Sequence, residues 1–139
     1  MTVAELAKHF QINPDTVRHY VKVGLLTPKR NPNNGYKMFS AADKQRLDFI
    51  LRAKSLGFSL ADIQLIIEQS IKGESPCPQV REIMAARLEE TEKRIAQMQA
   101  TYQQMKTAMQ AWQSQKDCMP TGDHICHLIE DFTGGYTNE

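Results

Sequence analysis

Between residues 116 and 131 the chain reads KDCMPTGDHICHLIED, which places two thiols and two imidazoles within ten residues. Thiolate and imidazole are the side-chain donors for soft and borderline cations such as zinc, cadmium, lead, mercury and copper(I). Seven residues lie between Cys118 and Cys126, too many for one helix face. Pro120 and Gly122 allow that interval to fold back as a loop and bring both sulfurs to one ion. An imidazole in the shell tilts the choice toward zinc. His124, two residues before Cys126, is the stronger candidate; His127 opens the short helical stretch HLIEDF and is an outer donor or exposed. Asp123 can orient a histidine or serve as a polar loop residue. No Lys or Arg lies between Asp117 and Asp131, so nothing basic competes with a cation there. A nucleophilic enzyme built on Cys126 and His127 is disfavoured, because adjacent helical residues point about 100° apart.

The third cysteine, Cys77, stands forty-one residues before Cys118 in KGESPCPQV. Three cysteines are too few for a disulfide scaffold, which favours metal binding or thiol chemistry in a reducing, cytoplasmic setting. The amino end lacks the layout of a secretory signal, and no apolar run approaches the roughly 18 residues of a membrane helix.

The elements that carry these residues read as mainly helical. Thr2-x-x-Glu5 is a capping box that opens a first helix, and Asn13-Pro14 starts a second, stopped by Gly24. Two short helices joined by the turn QIN form a helix-turn-helix pattern. In LLTPKRNPNNGYKMFS, Asn34-Gly35, both tolerant of positive φ, is a hairpin signal, and the stretch reads as a two-stranded wing tipped by NPNNG. Ser40-x-x-Asp43 and Ser59-x-x-Asp62 cap a third helix, to about Leu56, and a fourth, to about Lys72. Between Pro78 and Gln115 there is neither Pro nor Gly. Residues Met84, Leu88, Thr91, Ile95, Met98, Tyr102, Met105, Met109 and Trp112 recur at alternating intervals of four and three, a heptad seam. Those thirty-eight residues make a rod of about 57 Å with one apolar stripe. The short helices of the same chain cannot cover it, so a two-chain coiled coil is expected. The seam methionines are core filler rather than copper ligands, and Trp112 packs the thiol loop against the helix.

Charge follows the same division. Residues 1–74 hold 11 Lys+Arg against 7 Asp+Glu, whereas residues 75–139 hold 6 against 9. A net +4 front and a net −3 back place any polyanion contact on the front.

With ELAKHFQINPDTVRHYVKVGLLTPKRNPNNGYKMFS as head, then a linker cysteine, a long helix and a thiol loop, the chain resembles the mercury-resistance (MerR) family of bacterial transcription regulators over nearly its whole length. The resemblance implies a winged helix-turn-helix DNA-binding domain at residues 1–74, and a linker and antiparallel dimerisation helix at 75–116. It also implies an effector loop and short helix at 117–132, before a flexible tail at 133–139. It implies homodimers on double-stranded promoter DNA with an overlong spacer, distorted on effector binding so that RNA polymerase engages. Carried onto this chain, the DNA-facing residues are Thr16, Arg18, His19, Tyr20 and Lys22 of the second helix, with Lys29, Arg30, Tyr36 and Lys37 of the wing. Lys44 and Arg46 are weaker candidates. Tyr20 is equally read as a half-buried core residue. The family's Arg-Tyr-Tyr-Glu is Arg18-His19-Tyr20-Val21 here, its Tyr-Arg-x-Tyr is Tyr36-Lys37-Met38-Phe39, and its Cys-Pro-Ile-Ile is Cys126-His127-Leu128-Ile129.

Cys77 and Cys118 flank the rod and cannot share an ion within one chain, but antiparallel pairing brings Cys77 of one chain to the loop of the other. The expected metal site is therefore Cys118, Cys126 and the partner's Cys77, with His124 or, less readily, His127. In the family, cysteine at the head of the dimer helix accompanies divalent ions and serine accompanies copper(I). Zinc is the leading expectation, then cadmium, lead or mercury. The seven-residue loop resembles copper(I) sensors, which keeps that alternative open beside a thiol-based redox or electrophile sensor.

Overall fold

The structure is a computed structural model that describes residues 1–133, so the expected tail, apart from Thr133, lies outside the described residues. In chain order it comprises α1 (Val3–Phe10), α2 (Pro14–Lys22), β1 (Lys29–Arg30), β2 (Lys37–Met38), α3 (Ala41–Ser55), α4 (Leu60–Ile71), α5 (Cys77–Trp112) and α6 (His127–Glu130). The chain divides into two compact units, Met1–Arg87 and Leu88 onward.

Helix starts in the first unit are set by short polar side chains next to them. Thr2, Ser40 and Ser59 each accept the backbone N–H three residues on, from Glu5, Asp43 and Asp62, whose carboxylates reach back to the cap amide. Asn13 accepts from Asp15 N ahead of Pro14, whose missing N–H is no loss at a first helical position. The turn between α1 and α2 passes through Gln11 in the left-handed region at φ 55°.

The wing strands pair antiparallel, Lys29 with Met38 and Arg30 with Lys37. The connection is longer than a two-residue turn. Gly35 has φ 74°, Asn34 has no positive φ, and six residues intervene between the strands. Two asparagine side chains shape them: Asn31 Oδ1 accepts from Asn33 N at 2.8 Å, and Asn34 Oδ1 from Tyr36 N at 3.0 Å. Such side-chain-to-backbone bonds compete with a tight turn.

The core of this unit joins Leu6, Val17, Leu26, Leu47, Ile50 and Ile63, each no more than 1% exposed. Val80, Ile83 and Met84 of α5 pack against it, so the unit runs past the break at Gly73 to Arg87. There Arg87 Nη2 meets Asp62 Oδ2 at 2.9 Å, tying α4 to the first turns of α5. Burial pushes the Asp62 carboxyl up, but the Ser59 amide, the Arg87 guanidinium and the Ser59 hydroxyl together hold it below the usual aspartate range.

A carboxyl lowered on folding stabilises above its unfolded pKa of about 3.9 and ceases to do so as pH falls through its folded value. Asp62→Asn is expected to destabilise the protein by about 1 kcal/mol at neutral pH. The loss should shrink as urea midpoints are measured at successively lower pH below about 4.

Candidate effector loop and nucleic-acid interface

In the first unit, Arg18 of α2, Arg30 and Lys37 of the strands and Tyr36 of the wing loop line one cleft. It has a volume of about 460 Å³ and is floored by Thr2, Val3 and Ala4 at the start of α1. Three cations and a phenol from α2 and both wing strands therefore converge, although up to nineteen positions separate them in sequence. Arg30 Nη1 reaches across the wing to Gly35 O at 3.4 Å, and Arg18 Nη1 rests on Asp15 Oδ1 at 2.7 Å with both side chains exposed. His19, Lys22 and Lys29 are exposed and Thr16 is half-buried. Tyr20 is 6% exposed and packs in the core, where burial raises its hydroxyl pKa. Of the two readings it carried, its placement favours packing.

Cys77 is the first residue of α5 and is exposed. With Phe49, Ile66, Ile71 and Val80 it lines an apolar cleft of about 580 Å³ in the first unit.

In the second unit, α5 presents Met98, Tyr102, Met105, Met109 and Trp112 along an apolar groove of about 830 Å³, with Phe132 at its end. Trp112 anchors the segment beyond the helix: its indole N–H donates to Leu128 O at 2.9 Å, and its ring meets Phe132 edge-on at 6.0 Å between centroids. The expected packing of Trp112 on the loop region is thus seen at α6 rather than at the sulfurs.

The loop between α5 and α6 is held by two clasps. At its base, His127 Nε2 lies 3.0 Å from Lys116 O, so this nitrogen carries the proton, because a carbonyl only accepts. Cys118 Sγ lies 4.0 Å from the same oxygen. At its far end the Glu130 carboxylate gathers three consecutive residues: Oε2 meets His124 Nδ1 at 3.0 Å, and Oε1 accepts from Ile125 N at 2.8 Å and Cys126 N at 2.6 Å. The His124 contact first, then the Cys126 and Ile125 amides, hold the Glu130 carboxyl below the ordinary glutamate range. Cys126 occupies the N-cap of α6 without using its side chain as a cap. All three cysteines are free. Among the described residues, no three His, Cys, Asp or Glu side chains of the single chain converge as a metal shell. The donor types nevertheless suit a soft or borderline cation: two free thiols, one imidazole with Nε2 left over, and no cationic side chain between Asp117 and Asp131.

Glu130 and the Lys116 carbonyl do not stand out in the sequence as parts of this site. A signal existed for Glu130: a carboxylate within the first turn after an N-cap is placed to reach back to cap amides.

A winged helix-turn-helix with a cationic cleft, followed by a long apolar-striped helix, is the architecture of a DNA-binding regulator. The "MerR HTH family regulatory protein" description matches residues 1–70 and the "MerR, DNA binding" description matches residues 44–108. The chain is 36% identical over 99 residues to the HTH-type transcriptional regulator ZntR of Escherichia coli K12, covering 70% of each protein. It is 25% identical over 128 residues to the mercuric resistance operon regulatory protein of Bacillus cereus, covering 92% of this chain and 93% of that one. Its fold superposes with a TM-score of 0.71 on PbrR691 of Ralstonia metallidurans CH34, solved in complex with lead(II), at 20% identity and covering 94% and 98% of the two chains. The protein belongs to the MerR family of transcription regulators and is not an enzyme. Among the described residues no helix is long and apolar enough to cross a membrane.

Trp112→Phe keeps the ring contact with Phe132 and removes the donor to Leu128 O. Loss of this one hydrogen bond, about 1 kcal/mol, should raise amide exchange several-fold across α6 and leave exchange in α1–α4 unchanged.

Proposed function

We propose that the protein is a metal-responsive regulator that binds promoter DNA as a homodimer. It activates transcription by distorting that DNA when a divalent soft or borderline cation occupies the effector loop. Zinc is the favoured ion, followed by cadmium, lead and mercury, with copper(I) the alternative; the regulated functions are those of metal efflux or resistance. The observation that carries this reading is the loop itself: free Cys118 and Cys126 beside an imidazole whose Nδ1 is already engaged by Glu130. The names of the Bacillus cereus relative and the lead(II) complex support it.

The ligand set is Cys118, Cys126 and His124 of one chain with the partner's Cys77. The 36 residues of α5, as one helix rising about 1.5 Å per residue, set its ends about 54 Å apart. A thiol at the first residue of α5 and two thiols beyond its last therefore meet only when a second chain runs in the opposite direction. Large apolar side chains along α5, including Leu88, Ile95, Met98, Met105 and Met109, are more than half exposed and supply the surface for that pairing. The Cys118 and Cys126 thiolates of one chain and that of the partner's Cys77 would hold the ion, which would supply the positive centre between them. Closure of the loop onto the partner's Cys77, at the start of α5, repositions the two heads on DNA and presents the promoter to RNA polymerase. His127, with Nε2 donating to Lys116 O, braces the loop.

On the DNA side, Arg18, Arg30, Tyr36 and Lys37 of the cleft make the closest contacts, with Thr16, His19, Lys22 and Lys29 at its margins. Tyr20 supports α2 from the core.

Two experiments test this. Cys77→Ser should abolish induction by zinc, cadmium or lead in a promoter-activation assay while leaving promoter affinity unchanged; undiminished induction overturns the shared site. A parallel response to copper(I) alone would transfer the effector to the monovalent class. Arg18→Ala and Lys37→Ala should each weaken promoter binding and lower the slope of log K against log salt by about 1.

A further inference from the structure

The two loop histidines are held in opposite senses. His127 spends Nε2 on Lys116 O, which leaves Nδ1, 4.0 Å from Asp131 Oδ2. His124 faces Glu130 Oε2 through Nδ1. An ionised carboxylate has acceptors only, so Nδ1 of His124 carries a proton, and in the neutral ring Nε2 then keeps its lone pair. The side chain is 66% exposed, so Nε2 is reachable. The other oxygen of Glu130 accepts from the amide of Cys126, two residues on, so one carboxylate orients both the imidazole and the backbone of the neighbouring thiol. Metal-bound histidines are commonly oriented by a carboxylate on the far nitrogen, which fixes the tautomer and strengthens the donor.

We propose that Glu130 is a positioning residue that selects the metal, by holding His124, two residues before Cys126, with Nε2 exposed and so favouring a mixed nitrogen–sulfur shell over a sulfur-only one. The proposal rests on the effector-loop function and adds to it the group that discriminates among ions. Zinc and cobalt(II) accept imidazole and thiolate together in tetrahedral shells, whereas lead and mercury are satisfied by thiolates alone. Weakening the nitrogen donor therefore penalises the first pair and spares the second.

Glu130→Gln separates positioning from scaffolding. The amide oxygen of glutamine still accepts from Ile125 N and Cys126 N, so the loop backbone keeps its clasp. The amide NH2 faces His124 Nδ1 as a donor, which drives the proton to Nε2 and blocks the metal-facing nitrogen. In reduced, metal-free, full-length protein, nitrogen-15 imidazole spectra should show the Nδ1–H form of His124 in the wild type and the Nε2–H form in E130Q. Zinc affinity, measured by competition with a chromophoric chelator, should fall 10- to 100-fold in E130Q. His124→Ala should lower it as much, and lead(II) affinity should stay within about threefold in both variants.

Equal losses for zinc and lead in E130Q would assign Glu130 to loop scaffolding and overturn the proposal. So would an Nε2–H wild-type His124, or a His124→Ala protein with unchanged zinc affinity. A wild-type dimer that binds neither ion removes the effector reading itself, an outcome distinct from all of these. Promoter affinity within twofold of wild type certifies that each variant is folded.

Discussion

An apolar stripe that its own unit leaves largely uncovered is the constraint that governs this molecule. Large side chains of α5 at alternating four- and three-residue intervals stand more than half exposed, from Leu88 and Ile95 through Met98, Tyr102 and Met105 to Met109. Full burial of such side chains stabilises by about 1.5–3 kcal/mol each, so a covering partner contributes more than any single polar contact of the chain. Cys77 opens this helix, and Cys118 and Cys126 follow its last residue. In the proposed dimer, pairing and assembly of the effector site are one event: what covers the stripe also completes the donor set.

The head depends on a different economy of means. Three capping boxes and one asparagine cap start its helices with bonds spanning two or three residues, so each helix begins independently of the others. Tertiary packing then decides direction. Because Leu6, Val17, Leu26 and Phe39 converge in one core, the wing lies against the start of α1 and the middle of α2, and Arg18, Arg30 and Lys37 end on one cleft.

Features set by neighbours in sequence were legible in advance. All four caps of the head, the antiparallel wing and the stripe on α5 follow from residue types within seven positions of one another. Legibility fell where a choice depended on distant partners. The sequence NPNNG marks the tip of the wing, and Asn31 and Asn34 bond their own backbone within a connection of six residues that adds Tyr36 to it. The packing of Val80, Ile83 and Met84 into the first unit's core and the reach of Arg87 to Asp62 depend on such partners. In the loop, thiols and imidazoles announced themselves by type. Their holders were quieter: a backbone oxygen at Lys116 has no residue-type signature, and the only cue for Glu130 is its place in the first turn of α6.

The exposed contact between Arg18 and Asp15 bears on how quickly the head exchanges sites on DNA. A solvent-facing ion pair is worth about 0.2–1 kcal/mol, so in the proposed interface a phosphate replaces Asp15 at little cost. Meanwhile the guanidinium waits with much of its rotamer freedom already restricted. Asp15 does not become a stranded charge, since it sits in the first turn of α2, where helix-end amides favour an anion. In the proposed interface Asp15 is a placeholder for the phosphodiester, holding the Arg18 guanidinium until duplex arrives.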